Sequence, residues 1–463
     1  MTFVFIPIYV HYLGIEAYGV IGFYATMLAF MTLFDFGLIS TVVKEIAVGK
    51  KRPDGSARSR DVIRTFECLI FGLALLLAMA VYLAAPWLGV EWFSAKRLSG
   101  EEITNAIYFM GLMGAIRFIE LFYRGIVIAL DQQVILNILE SLSAPAKGIG
   151  AWVIFEFVSP SLQLFFLWQS LVSLLMIVGL IVLIYLRLPP AERPPKIDLR
   201  IVSSTKLFAG GMFGTAVFGF LFGQVDKLIL SKLLTLEDFG VYSLASAVAG
   251  AIFVFVNPVA QAIQPRLMTQ FAIGDVTGFI KNFRLSSALL SALTGAFAAI
   301  MLTSGFQVML IWTNNPTLAN QITLLVALMT LGNLFSVYVR ILSLAQYASG
   351  WTSLSVYSGL AGFLTISPLL FVLVPKYGVV GAAWIWFSLN LIYFFTYYYV
   401  VFRRTVIKVL SGFQETFLPL RSLHLASPGF SAIYRVFRKG QFSGGNFAGN
   451  KCFVMLRRTA NDR

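Results

Sequence analysis

The chain is poor in charge. Asp, Glu, Lys and Arg make up only 12 % of its 463 residues, about half the share of an ordinary soluble domain. That leaves too little polar surface to cover a water-soluble fold, so soluble enzymes and disordered proteins are excluded. Cysteine is nearly absent: Cys68 and Cys452 cannot make a disulfide framework. His11 and His424 are too few and too far apart for a histidine metal site, and no metal or cofactor is expected. The first apolar run has no basic leader and no small-residue cleavage site, so it does not read as a secretory signal.

What is present is apolar length. Hydrophobic residues form 58 % of the chain and mean hydropathy is +0.83. A bilayer core of roughly 30 Å takes about 20 apolar residues per helix. Twelve stretches stand out: 1–13, 18–43, 62–90, 103–130, 134–158, 162–188, 206–234, 239–264, 283–312, 318–347, 352–374 and 379–402. Lipid satisfies no backbone group and the alternation of barrel strands is absent, so these are helices. The sequence predicts an all-α polytopic membrane protein with about 12 transmembrane helices.

The net charge of +14 suggests nucleic acid until it is located. From Arg403 onward there are eleven Lys and Arg against two Asp and Glu. The excess is therefore concentrated in a basic tail, and no nucleic-acid partner is expected. That tail, 403–463, changes composition sharply and reads either as a lipid-touching cytoplasmic segment or as an aberrant end. Elsewhere Lys and Arg follow the loops. Eighteen lie around the even-numbered loops and after the last helix; Lys96, Arg97, Lys232 and Lys376 are the four in odd loops. Both termini are thus expected in the cytoplasm.

An internal repeat organises the chain. LGIEAYGV at 13–20 matches LTLEDFGV at 234–241, an offset of 221. YRGIVIAL from Tyr123 aligns with VRILSLAQ from Val339 at an offset of 216, placing Arg124 opposite Arg340. The expected domains are a six-helix lobe at 1–188, a cytoplasmic linker at 189–205 and a second six-helix lobe at 206–402. Six helices return the chain to its starting side, so the repeats are parallel and flank a central cavity. Such a duplication favours a transporter. The first stretch has only twelve residues before LGIEAYGV; these reach about 18 Å, so a shortened first helix is expected.

YLGIEAYGVIGFY, the FDFGL of the second stretch, QVDKLILSKLLTLEDFGVYSLA, NPVAQAIQPRL and KYGVVGAAW together resemble the bacterial polysaccharide (O-antigen type) flippases. These belong to the multidrug/oligosaccharidyl-lipid/polysaccharide exporter superfamily, and the likeness covers roughly residues 1–402. The resemblance implies a non-enzymatic transporter of the bacterial inner membrane. Its substrate would be an oligosaccharide on undecaprenyl pyrophosphate, moved from the inner to the outer leaflet for surface polysaccharide. It implies contact with membrane lipid and allows a polysaccharide polymerase as partner. Two other readings stay open: a cation-coupled small-molecule antiporter of the same superfamily, and an integral-membrane glycosyltransferase or polymerase.

Ionisable residues inside membrane helices are costly and therefore mark candidate sites. Arg117, Glu120 and Arg124 sit at i, i+3 and i+7, on one helix face. They read either as cavity lining for a pyrophosphate or as an internal ion network, and the two are compatible. Arg340 would add a cation from the second lobe, and Lys147 another from the first. These four are the candidate substrate-binding residues. Asp226, Glu120, Asp35 and Glu140 are the candidate ion-coupling carboxylates, with Glu67 weaker. Gly210, Gly214, Gly219 and Gly223 are expected to serve helix packing, and Trp384 and Trp386 to face lipid or packing neighbours. Glu16 and the Glu237–Asp238 pair are expected to cap helices at tight turns.

Overall fold

The computed structural model describes residues 2–49, 55–188, 193–198, 200–202, 210–348 except 211, 212, 215, 218 and 222, then 351 and 353–401. The basic tail, with Cys452 and His424, lies outside them, as do Lys50, Lys51, Arg52 and Lys206. One compact unit spans Met1–Thr405. Among the described residues the secondary structure is helical apart from one isolated bridge between Ser94 and Thr235.

The helices are α1 (Thr2–Met31), α2 (Leu38–Gly49), α3 (Gly55–Trp87), α4 (Gly100–Ala129), α5 (Gln133–Phe157) and α6 (Leu162–Arg187). They continue as α7 (Val225–Leu233), α8 (Leu236–Gly250), α9 (Ile252–Ala272), α10 (Val276–Thr303), α11 (Gly305–Thr313), α12 (Pro316–Ala348) and α13 (Ser353–Val401). Six segments are long and apolar enough to cross a membrane, or seven if the bent pair α8–α9 is one span. The expected boundaries are redrawn by backbone breaks. The first and second stretches run together through α1, interrupted only at Gly14 with φ +83°. The eleventh and twelfth likewise share α13, broken at Gly378 with φ +58°. Both breaks need left-handed backbone, which glycine adopts without a Cβ clash.

The second stretch, expected as one helix, is divided. After α1 comes a 3₁₀ turn at Thr32–Asp35, then left-handed Phe36 and Gly37, then α2. Asp35 Oδ1 accepts the Ile39 N–H at 2.8 Å, supplying an N-terminal amide of α2 with a partner. The seventh stretch is also interrupted: Gln224 is a turn, so Asp226 lies in the first turn of α7 rather than mid-helix. α4 starts from a full capping box, in which Ser99 and Glu102 satisfy each other's backbone N–H.

Packing is heaviest within α1–α6 and within α7–α13, and α1 against α8 is the main contact between the two groups. Phe66, Phe118, Phe122, Phe166, Phe239 and Tyr242 fill the interior. The outer faces are apolar: Leu75 and Leu83 on α3 and Leu186 on α6 are 69 %, 71 % and 77 % exposed. Such a surface is stable against acyl chains and not against water. The glycines at 210, 214, 219 and 223 do not fit the packing expectation, since a Cβ on any of them meets no described atom within 4 Å.

Residues 193–198 of the linker dock on the start of α3. The Arg193 guanidinium donates to both Asp61 oxygens, and the Lys196 N–H donates to Asp61 Oδ1 at 2.8 Å. The Asp198 N–H donates to Thr65 Oγ1 at 2.9 Å.

Candidate functional site

The face shared by Arg117, Glu120 and Arg124 on α4 meets α5, which supplies Glu140 and Lys147. Arg117 Nη1 donates to Glu120 Oε1 at 2.6 Å, and Arg124 Nη1 stands 3.9 Å from the same oxygen. Arg124 also pairs with Glu140 across the helices. Glu120 is almost wholly enclosed, yet its Oε2 has no hydrogen-bond partner among the described residues. Lys147 interacts electrostatically with Arg117, Glu120, Arg124 and Glu140, but among the described residues no carboxylate lies within ion-pair distance of its ammonium. Three cations thus face two carboxylates, a net charge of about +1 in a half-buried setting. The Tyr24 hydroxyl of α1 also faces Arg117 and Glu120, buried and without a hydrogen-bond partner.

The sequence places the α4 triad and the α5 pair on their own helix faces; the structure brings the two faces together. It does not do the same for Arg340. That residue is exposed on α12 and makes no ion pair among the described residues, although its repeat mate Arg124 makes two. Asp35 is occupied as a cap at the start of α2. Glu67 is engaged by the Tyr123 hydroxyl at 3.0 Å and by Arg64 at 3.3 Å.

Asp226 belongs to a different place. It lines a cavity of about 280 Å³ with Gln224, Lys227, Tyr242, Ser246, Asn333 and Trp386 among its neighbours. The Tyr242 hydroxyl donates to Asp226 Oδ2 at 2.9 Å. Oδ1 of Asp226 and Oε1 of Gln224 are buried and have no partner among the described residues. Two unsatisfied acceptors opening on one polar cavity call for a proton, a cation or water between them. Trp386 Nε1 donates to Asn333 Oδ1 at 3.0 Å and forms part of the wall. Trp384, by contrast, is half exposed. Tyr242, Gln224 and Asn333 are missing from the sequence-based set. Single uncharged polar residues on apolar helices carry no periodic signal, and only the packing of α7, α8, α12 and α13 unites them.

Glu16 is a correction. It does not cap its own helix. Its carboxylate accepts backbone N–H groups from Lys96, Arg97 and Leu98 at 2.7, 2.9 and 3.0 Å, holding the loop before α4. Asp238 does take part in the expected cap, with its N–H donating to Thr235 Oγ1, while Glu237 pairs with Lys96 at 3.4 Å.

The family described as polysaccharide biosynthesis protein matches residues 1–271, a span that holds the α4–α5 cluster and Asp226. The chain belongs to that family. It is a polysaccharide flippase family of the multidrug/oligosaccharidyl-lipid/polysaccharide exporter superfamily, and its members here are compared on sequence and fold. A putative O-antigen transporter of Shigella flexneri is 23 % identical over 379 residues, 81 % of this chain and 87 % of the relative. An inward-facing multidrug resistance transporter of the same superfamily superposes with a TM-score of 0.69 at 14 % identity, covering 89 % of this chain and 94 % of that one. The lipid II flippase MurJ, in an inward closed conformation, gives 0.61 at 14 % identity, covering 88 % and 92 %. The two structures establish the fold. This family member is a multi-pass membrane protein of transporter type.

Proposed function

We propose that the protein flips undecaprenyl-pyrophosphate-linked oligosaccharide from the inner to the outer leaflet of the bacterial cytoplasmic membrane. In this reading both termini face the cytoplasm, about twelve helices span, and the lobes 1–188 and 206–402 move about a central cavity. The observation that carries it is the cation excess where α4 meets α5. A pyrophosphate entering the bilayer must exchange its hydration for fixed donors. Arginine stays charged and offers bidentate bonds, while Lys147 brings a positive charge with no carboxylate partner to displace. The anion would compete with Glu120 and Glu140 for Arg117 and Arg124, with Tyr24 adding a hydroxyl. Arg340 would contribute from the second lobe once the lobes close on the head group. Asp226 is the ion-coupling group in this account, its open oxygen taking up a proton or cation as the cycle turns. Glu120, Glu140 and Asp35 are secondary candidates. A polymerase consuming the flipped unit is the partner the reading implies.

The test is Lys147→Gln in cells whose own flippase has been deleted. The variant should reach the membrane at normal levels and restore surface polysaccharide at least tenfold less well than the parent chain. Full restoration by both Lys147→Gln and Arg124→Gln would refute the head-group assignment. The acidic cavity at Asp226 also suits a cation-coupled antiporter of small molecules. Expulsion of an organic cation dye, with no effect on lipid-linked sugar, would favour that second reading.

A further inference from the structure

The two halves meet through a contact that repeats itself. A Cβ built on Gly19 would stand 2.6 Å from the Leu236 carbonyl oxygen and 3.3 Å from the Gly240 nitrogen. A Cβ built on Gly240 would stand 2.1 Å from the Ile15 carbonyl oxygen and 3.3 Å from the Gly19 nitrogen. Residues 15 and 236, and 19 and 240, are equivalent positions at the repeat offset of 221. Each half therefore presents the same glycine to the same carbonyl of the other. Gly22 and Ser243 carry the same offset, and they too face each other: a Cβ on Gly22 would lie 2.7 Å from the Ser243 Cβ. Where position i touches j and j touches i, the interface is isologous, and a local two-fold axis runs through it. Here one chain supplies both copies of the patch.

Any larger residue at 19 or 240 would force the backbones apart, so the approach depends on the missing side chains. Val20, Phe239, Leu244 and Ala245 around them are completely buried, leaving no path for water. One element of the seam is unsatisfied. The Ser243 hydroxyl is buried there without a hydrogen-bond partner among the described residues, and water would give it one if the seam parted.

We infer that this glycine seam is the closed outer gate of the transport path, and that Gly19 and Gly240 act as interchangeable halves of it. The inference rests on the transporter reading and on the orientation assigned from the loop charges. Separation of α1 from α8 along the local two-fold opens the gate, and regained contact between glycine and carbonyl closes it.

The gate is tested by locking and by wedging, in a background carrying Cys68→Ser and Cys452→Ser. In the first experiment Gly22→Cys and Ser243→Cys are combined. Their Cβ atoms start closer than the roughly 3.5–4.5 Å of a disulfide, so a small displacement allows the bond. Oxidation should lower transport at least tenfold and reductant should restore it. Cross-linked protein that transports at the reduced rate overturns the gate. In the second, Gly19→Ala and Gly240→Ala are each combined with Ser243→Cys and exposed to an impermeant maleimide from outside. Both should raise labelling severalfold and to a similar extent. Unchanged labelling in variants that still elute as folded protein overturns the seam's role. Loss of transport in the reduced protein as well speaks against the substrate reading alone; the labelling experiment then decides the gate, since it needs no substrate.

Discussion

Tyr242 donates its hydroxyl to Asp226 Oδ2 at 2.9 Å, while Oδ1 of the same carboxylate faces the cavity with no partner among the described residues. One oxygen is held by the protein and the other is left for something that comes and goes. Asp226→Asn keeps an acceptor for Tyr242 and removes the charge. It should leave thermal stability in detergent within about 1 kcal/mol of the parent, the scale of one hydrogen bond. Transport into inverted vesicles should lose its dependence on an imposed ion gradient. A gradient response equal to the parent's would remove Asp226 from the coupling step.

Tyr242→Phe tests the same pair from the other side. It strips the carboxylate of its donor and leaves both oxygens buried without one, a change worth roughly 1–3 kcal/mol. The melting temperature should fall measurably, and more than for Asp226→Asn. The reverse order in a thermal-shift experiment would mean that the bond does not stabilise the α7–α8 pairing.

Glu120 sits between two arginines, its side chain 3 % exposed against 22 % for Arg117 and 26 % for Arg124. Glu120→Ala leaves both guanidinium groups without that counter-ion. Breaking a buried pair costs at most about 3–5 kcal/mol, and partial exposure of the arginines reduces it. Loss of folded yield on size-exclusion chromatography is expected, with partial rescue by adding Arg117→Met. A stable Glu120→Ala single variant would show that the network is dispensable for folding.

Asp61 clamps the linker. Asp61→Ala removes acceptors used by Arg193 and by the Lys196 N–H. Trypsin acting on inverted vesicles should cut after Lys196 several times faster than in the parent. Equal rates would show that Thr65 alone holds the segment.

Orientation can be checked on exposed loop positions. With Cys68 and Cys452 replaced by serine, Ile273→Cys, between α9 and α10, should react with an impermeant maleimide only after the cells are opened. Glu101→Cys, at the start of α4, should react in intact cells. The opposite pattern inverts the topology.

The membrane class was legible because it depends on composition, and the α4 triad because a helix turns every 3.6 residues whatever surrounds it. Arg340 shows the limit of the repeat. Equivalent sequence positions gave Arg124 two carboxylates and Arg340 none, since the partners come from α5 and have no counterpart beside α12. The break at Phe36 was hidden for another reason: a left-handed phenylalanine is held by its surroundings, not by its own preference. The Asp226 cavity needed residues over a hundred positions apart, such as Tyr242 and Trp386, which no local pattern links.

Glu16 fastens residues 96–98 to α1 with three backbone hydrogen bonds, whereas that loop touches the other half through single contacts: Leu236 N–H to Ser94, Lys96 to Glu237 and Trp92 to Ser231. When the halves separate, the strap must travel as baggage of the first. Rupture then follows the weaker stitches on the α7–α8 side, so the fracture line of each cycle is fixed by where one carboxylate spends its lone pairs.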